Sequence, residues 1–453
     1  MNVVELEKLQ AKWGDDLNRR FDVAKRLDYY HNNQTHYLKK AIKKAYPKTA
    51  EEMLDKYEYT YPLTKRILDD ISILFQTPLK LTIDNENLEK KFNEIINDTK
   101  FNSIMVKVNL LVNLTDKVGI IPVWRDGLEL DIITADNCFV LQDPENPTKI
   151  KELFYQIGIL ENSPTKAETV ATYVRWTNET QSIVDVDDTG GNIQNERDIV
   201  PNRFGIIPVV WFENDITTNT FWHNKTNHII ETNEIVNCEL TNFRYMMAFQ
   251  AFSTLVTVGI DETASIPFGA SYNLKLPFDP AETKTPDAKY ITPNPKLKEV
   301  WEVINNIILG AAQSVGISAD SYLKVNSSFN SGYQLKLSKQ DIINRTMGER
   351  PFYRPKIKDL INLMLELYTQ NSDKNFTNAQ ITVDFGELTF DANPKEKQEL
   401  RAMELANGTK NEIDFIIEDN PDLTRDEAIE HYKKLQDEKK QYQIGAGLID
   451  AIK

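Results

Sequence analysis

KTNHIIETNEIVNCELTNFRYMMAF, residues 225–249, and KLKEVWEVINNIILGAAQSVG, residues 296–316, decide how this chain is read. In the first, Ile229, Ile230, Ile235, Val236, Leu240 and Phe243 recur at roughly helical spacing. In the second, Leu297, Val300, Trp301, Ile304, Ile307 and Ile308 do the same, and the stripe stops near Gly316. Each stretch predicts a long helix. Between them, Pro267, Pro277, Pro280, Pro293 and Pro295 punctuate short apolar runs, which predicts a compact insert of short strands joined by turns. A polar loop follows, Ser318 to Gly332, and then helical sequence from about Tyr333 to Gln370. Within that last helix Gly348, Pro351 and Pro355 are expected to produce a kink, because each proline removes a backbone donor and crowds the preceding turn.

Upstream, Leu6, Leu9, Trp13, Leu17, Phe21, Val23, Leu27 and Tyr30 predict a helix, with a break at Tyr46-Pro47-Lys48-Thr49. Further helices are expected over Tyr61–Phe75, Glu86–Ile96 and Phe101–Leu114. The pattern then changes to alternation: Ile120–Trp124 and Leu128–Ile133 flank an Arg125-Asp126-Gly127 turn, a hairpin signal. Strands are expected at Glu152–Ile159, Thr169–Trp176, Ser182–Val186 and Ile206–Phe212, the last closing the antiparallel region, and later at Ile381–Phe390. The tail past Asn393 is charged and helical, with breaks at Asn407-Gly408 and Asn420-Pro421.

The chain has 453 residues, 41% hydrophobic and 27% charged, with net charge −15, an ordinary globular composition that rules out global disorder. The acidic balance argues against a protein that grips nucleic-acid phosphates over its whole surface, without excluding local contact. No run of about 20 apolar residues predicts a membrane span. The start, Met1 to Lys8, lacks the basic and apolar segments of a signal peptide. Cys138 and Cys238, the two cysteines, lie far apart with no Cys-x-x-Cys pair, which suits a reducing compartment and leaves no thiolate zinc site.

Chemical motifs are sparse. No Walker loop, Gly-x-Gly-x-x-Gly or Gly-x-Ser-x-Gly occurs. His31 and His36, and His223 and His228, are five apart, an offset that does not stack two metal ligands on a helix, so they read as solvated or capping residues. Asp185, Asp187 and Asp188 before Gly190-Gly191 read as a turn rather than a calcium loop, and Lys39, Lys40, Lys43 and Lys44 as a solvated helix face. Glu231, Glu234, Glu239 and Arg244 could form an acid/base group, yet no nucleophile accompanies them, and a channel or solvent face is the better reading.

The order of parts carries more information than any motif. An α/β region ending in Phe204–Phe212, a long helix, a small insert, a second long helix, a polar loop, a kinked helix and a helical tail resembles tailed-bacteriophage portal proteins of the siphophage type. Ser331-Gly332-Tyr333-Gln334-Leu335 resembles the Ser-Gly-x-x-Leu element seen there. The resemblance spans nearly the whole chain. It implies an α+β multidomain portal fold that assembles into a ring, with an α/β wing over 1–224, stem helices over 225–249 and 296–316, and a small α/β clip over 250–295. A tunnel loop over 317–332, a kinked helix and wing strand over 333–390, and a helical crown over 391–453 complete it.

The resemblance also implies a conduit for double-stranded DNA at one capsid vertex, built from about twelve subunits, without enzymatic activity, cofactor or metal and with no membrane contact. DNA-contacting candidates are Asp320, Lys324, Asn326, Ser327, Ser328, Phe329 and Asn330. Channel-lining candidates are Glu231, Glu234, Glu239, Arg244, Lys298 and Glu302. Docking candidates on the clip are Phe268, Tyr272, Lys275, Phe278, Lys284, Lys289 and Tyr290, for the terminase large subunit and then a head-completion or adaptor protein. Major capsid and scaffold proteins would meet the wing. The implied location is the virion, after assembly in the host bacterial cytoplasm. Apolar residues around the two stem helices, such as Ile229, Val236, Phe243, Val300 and Ile307, would then serve contacts between neighbouring subunits. The alternatives are a two-helix hairpin inside one core and, for the whole chain, an intracellular multidomain scaffold protein without a channel.

Overall fold

The computed structural model describes residues 18–161, 169–186, 193–218, 220–223, 227–250, 254–258, 287–291, 296–317, 340–372, 375–376, 379–386, 394–420, 425 and 427–436. They fall into two compact units: residues up to 317 together with 341–386, and residue 340 with the C-terminal helices from 394 onward.

The first unit opens with six helices, α1 (18–30), α2 (Thr35–Ala45), α3 (Ala50–Tyr57), α4 (Leu63–Ile71), α5 (Glu86–Asp98) and α6 (Phe101–Thr115). Asn85 caps α5 by accepting from the Asn87 amide at 3.1 Å. Apolar side chains nearly surround α6, with Phe101, Met105, Val108, Leu111, Val112 and Leu114 all buried, so it runs through the interior. Strand β2 (Lys117–Trp124) follows directly and turns through Arg125-Asp126-Gly127 into β3 (Leu128–Thr134), pairing Trp124 with Leu128 as the hairpin signal predicts.

A five-stranded antiparallel meander comes next: β4 (Cys138–Gln142), β5 (Ile150–Glu161), β6 (Thr169–Trp176), β7 (Thr180–Val186) and β8 (Ile193–Pro201). Strands β4 and β8, its two edges, were not anticipated from the alternation. The strand expected over Ile206–Phe212 is shorter, β9 (Val210–Glu213), because Gly205 has φ +65° and Pro208 offers no amide. Strand β9 pairs with β2 in a separate three-stranded sheet, β3-β2-β9, and does not close the meander.

Beyond β9 lie α7 (His228–Gln250), the antiparallel pair β10 (Thr254–Val258) and β11 (Asp287–Ile291), and α8 (Leu297–Ser314). The long α9 (Gln340–Asn371) carries Pro351 and Pro355 without interruption. Each interior proline costs about 3 kcal/mol, but Tyr353, Ile357, Leu360, Ile361, Met364 and Leu365 of the same helix are buried in the largest core, at about 1.5–3 kcal/mol per large side chain. Packing therefore outweighs the break. Strand β12 (Ile381–Asp384) returns to pair with β1 (Lys80–Ile83), Lys80 opposite Asp384 and Ile83 opposite Ile381. Gly386 lies where a Cβ would sit 2.3 Å from Thr77 Cγ2 and 2.9 Å from its Cβ, and its carbonyl accepts from Arg350 Nη2 at 2.9 Å.

The second unit contains α10 (Pro394–Ala406), α11 (Glu412–Asp419) and α12 (427–436). A capping box between Asn411 and Asp414 starts α11, and a bidentate pair from Arg401 to Asp419 at 2.8 and 2.6 Å ties it to α10.

One ionic group holds the three-stranded sheet to the turn before α7. Lys117 Nζ lies 2.8 Å from Glu213 Oε2 and donates to the Phe221 carbonyl at 2.7 Å. His223 Nε2 lies 3.1 Å from the same carboxylate oxygen. His223 is thus a buried structural residue, not the solvated or capping histidine its spacing suggests. Burial alone would raise the Glu213 carboxyl, but hydrogen bonds from His223 and Lys117 outweigh it and hold the group below its ordinary value of 4.5.

Two outcomes are expected. Gly386→Ala forces its methyl into Thr77 and lowers stability by about 1–3 kcal/mol, read from the urea midpoint. Because the Glu213 carboxyl is lowered in the folded chain, its contribution is complete above about pH 4.5 and is lost as pH falls through the folded value. Glu213→Gln should therefore flatten the acid limb of the stability profile and cost about 3 kcal/mol at pH 7 by leaving the buried Lys117 ammonium without an anionic partner.

Candidate channel and docking elements

Helices α7 and α8 run side by side in opposite senses, Phe243 near the end of one meeting Trp301 near the start of the other with ring centroids 5.9 Å apart. On α8, Ile304, Ile308, Ala311 and Ala312 form the buried stripe expected of an amphipathic helix. The helix ends in a Schellman motif: the Gly316 amide donates to Gln313 at 3.0 Å and the Ile317 amide to Ala312 at 3.0 Å, with Gly316 at φ +88°.

Helix α7 is held differently. Besides Ile229, Ile230, Val236 and Leu240, its inner face carries a polar row. Asn233 Oδ1 accepts from the Thr64 amide at 3.0 Å and its hydroxyl at 2.8 Å, while Asn233 Nδ2 donates to the Tyr61 carbonyl at 2.9 Å. Asn237 Oδ1 accepts from the Tyr61 amide at 2.8 Å, and Thr241 Oγ1 from the Tyr59 amide at 3.2 Å. Arg244 Nη1 completes the row with 2.8 Å to the Glu58 carbonyl. One helix face therefore reads the backbone between α3 and α4. Asparagine and threonine at four-residue spacing inside a helix, where they are poor helix formers, was the available signal for it.

The residues expected to line a channel do not converge. Glu231 is exposed beside His228, whereas Glu234 pairs with Lys25 at 2.8 Å and Arg244 points into its own subunit. Glu239 is half-buried, and Lys298 and Glu302 are exposed, 3.8 Å apart on α8. No acid/base group exists among Glu231, Glu234, Glu239 and Arg244, and among the described residues no cluster of His, Cys, Asp and Glu could hold a metal ion. Of the residues assigned from sequence to subunit contacts, Ile229 and Val236 are buried in one core shared with Leu63, Ile67 and Ile308, and Phe243, Val300 and Ile307 pack partly buried against it. Among the described residues, the large apolar side chains that α7 and α8 leave exposed are Ile235, Met247, Trp301 and Val303. The DNA-contacting candidates Asp320, Lys324, Asn326, Ser327, Ser328, Phe329 and Asn330 lie outside the described residues, as do Phe268, Tyr272, Lys275, Phe278 and Lys284. Lys289 and Tyr290 sit on β11, opposite Val256 and Leu255.

No helix among the described residues is long and apolar enough to cross a membrane. No curated protein is recognisably similar in sequence. Among solved structures, "Virion of native gene transfer agent (GTA) particle" is 10% identical, with TM-score 0.43 over 82% of this chain and 92% of that one. "Neck of native GTA particle computed with C12 symmetry" is also 10% identical, with TM-score 0.42 over 81% and 92%. The family described as "Phage portal protein, SPP1 Gp6-like" matches residues 9–444, so the chain belongs to the phage portal protein family.

Proposed function

We propose that this portal subunit closes a ring of about twelve copies at one capsid vertex of the virion, and that double-stranded DNA enters and leaves through the bore. The match to the portal family over residues 9–444 carries this reading. The paired helices suit it physically. At 1.5 Å per residue, the 23 residues of α7 reach about 35 Å and the 18 of α8 about 27 Å, enough for the wall of a tube. These helices are the stem, β10 and β11 belong to the clip, the chain before α7 together with β12 forms the wing, and the second unit is the crown.

In a ring each subunit offers one surface to one neighbour and a different surface to the next. Ile235 and Val303, 50% and 56% exposed, supply apolar area for that contact. The remaining assignments rest on the family. Asp320, Lys324, Asn326, Ser327, Ser328, Phe329 and Asn330 touch passing DNA, while Lys289, Tyr290 and the rest of the clip group receive the terminase large subunit and later a head-completion protein. Capsid and scaffold proteins meet the wing. The subunit is not an enzyme, and ATP is hydrolysed by the motor partner, in keeping with the missing phosphate loop. About twelve copies of a chain of net charge −15 sum to roughly −180, and such a tube repels a phosphate backbone rather than holding it. DNA that is not held can be pumped.

Native mass measurement of the full chain should give particles near a small integer multiple, about twelve, of 52.2 kDa. Val303→Asp should move material from rings to monomers while leaving the thermal midpoint of the monomer unchanged; intact rings would remove Val303 from the interface. Deleting Lys324–Asn330 should stop or slow DNA packaging in a head-assembly assay while rings still form, and normal packaging would sink the channel reading of this loop.

A further inference from the structure

Where α8 ends and α9 begins, one guanidinium reaches three helices. Arg345, on the second turn of α9, donates from Nη1 to the Val315 carbonyl at the end of α8 at 3.4 Å. Its Nη2 donates to Asn113 Oδ1 on α6 at 3.0 Å, and its Nε lies 3.3 Å from Glu349 Oε1 one turn along α9. Glu349 is 5% exposed, and its other oxygen accepts from Asn109 Nδ2 at 3.1 Å. Asn109 also donates to Tyr353 Oη at 3.3 Å and accepts the Leu74 amide at 3.3 Å. Asn214, just after β9, donates to Asn113 Oδ1 at 2.9 Å, and Asn113 donates to Ser72 at 3.1 Å. Burial raises the Glu349 carboxyl above its ordinary value, opposed by Arg345 and Asn109.

The planar fork of an arginine spreads its donors over three nitrogens and so reaches acceptors spaced more widely than the single nitrogen of a lysine ammonium can. Here the acceptors belong to the two helices that residues 318–339 join and to the buried α6. A displacement of the α8 end relative to the α9 start must break the charge-assisted bond from Arg345 to the Val315 carbonyl, while Glu349, one turn along the same helix as Arg345, holds the guanidinium in place. We propose that Arg345 is a positioning residue that fixes the end of α8 against the start of α9 and α6, so that the segment between the two helices works on DNA from a rigid base. The proposal rests on the channel reading for its functional half only.

The test is amide hydrogen exchange on the full-length chain, followed by DNA packaging in assembled heads, for Arg345→Gln and Arg345→Lys. Lysine keeps a cation beside Glu349 but loses the fork. Both variants are expected to raise exchange over residues 311–317 and 341–346 by roughly tenfold or more, with the β2, β3 and β9 peptides unchanged and rings intact, and both should package DNA poorly. Wild-type exchange over 311–317 in the lysine variant would overturn the proposal, because neutralising Glu349 would then be the whole role. Exchange raised throughout the unit would also overturn it, as would normal packaging despite locally raised exchange. If deletion of Lys324–Asn330 leaves packaging normal, the channel reading fails instead, and the exchange result still decides whether Arg345 fixes the helix ends.

Discussion

The placement of α7 depends on side chains that read backbone. Asn233, Asn237, Thr241 and Arg244 hold the segment between α3 and α4 through its amides and carbonyls, and all but Arg244 are nearly fully buried. Each such bond contributes only about 1 kcal/mol net, but a buried group deprived of its partner costs about 1–3 kcal/mol. The row therefore does more for uniqueness than for stability. Rotating α7 about its axis, or sliding it by a fraction of a turn, would pull the whole row off its partners together, whereas a purely apolar stripe would tolerate the shift. The N-terminal helices that pack on α7, and α8 that packs beside it, inherit one register from this constraint.

A second constraint closes the unit over the longest sequence distance. The pairing of β1 with β12 brings residues 80–83 to residues 381–384, and α9 threads the core that leads there. Two prolines within α9 would break an exposed helix. Inside the largest core, with Tyr353 and Phe212 rings 5.6 Å apart and Phe75 at 5.5 Å, the surrounding side chains hold the chain helical. Tertiary packing overrides local propensity here by a margin of several kcal/mol.

What could be read from the sequence divides along the same line. Elements whose burial is apolar and periodic were legible to within a few residues: α5, α6, the β2–β3 hairpin, and α8 with its stop at Gly316. Elements defined by partners were not. Strand β8 reads Ile-Gln-Asn-Glu-Arg-Asp-Ile-Val-Pro, an edge whose charged centre carries no alternation. The partner of β9 is β2, more than 80 residues upstream, and nothing in either strand announces it. On the two long helices the error was one of address. Their apolar residues were visible, but those that pack inside could not be told from those that stay exposed, because Asn233, Asn237 and Thr241 share the buried face of α7 with Ile229, Ile230, Val236 and Leu240.

The same polar chemistry recurs at three joints, each where a long element must keep a fixed angle to a neighbour. Lys117, Glu213 and His223 join the small sheet to the chain entering α7, the Asn233 row joins α7 to the N-terminal helices, and Arg345 with Glu349 joins α9 to α6 and α8. An apolar core in these positions would be at least as stable, since desolvating charges offsets most of what their pairing returns. It would also be more yielding, because dispersion contacts change gradually as surfaces slide. Directional bonds between buried groups have few satisfactory arrangements, so each joint is either made or broken. A subunit whose angles are set this way passes little of its own flexibility to its neighbours. In the closed ring proposed for this subunit, where an angular error at one contact would have to be absorbed by all the others, that stiffness would be worth the desolvation it costs.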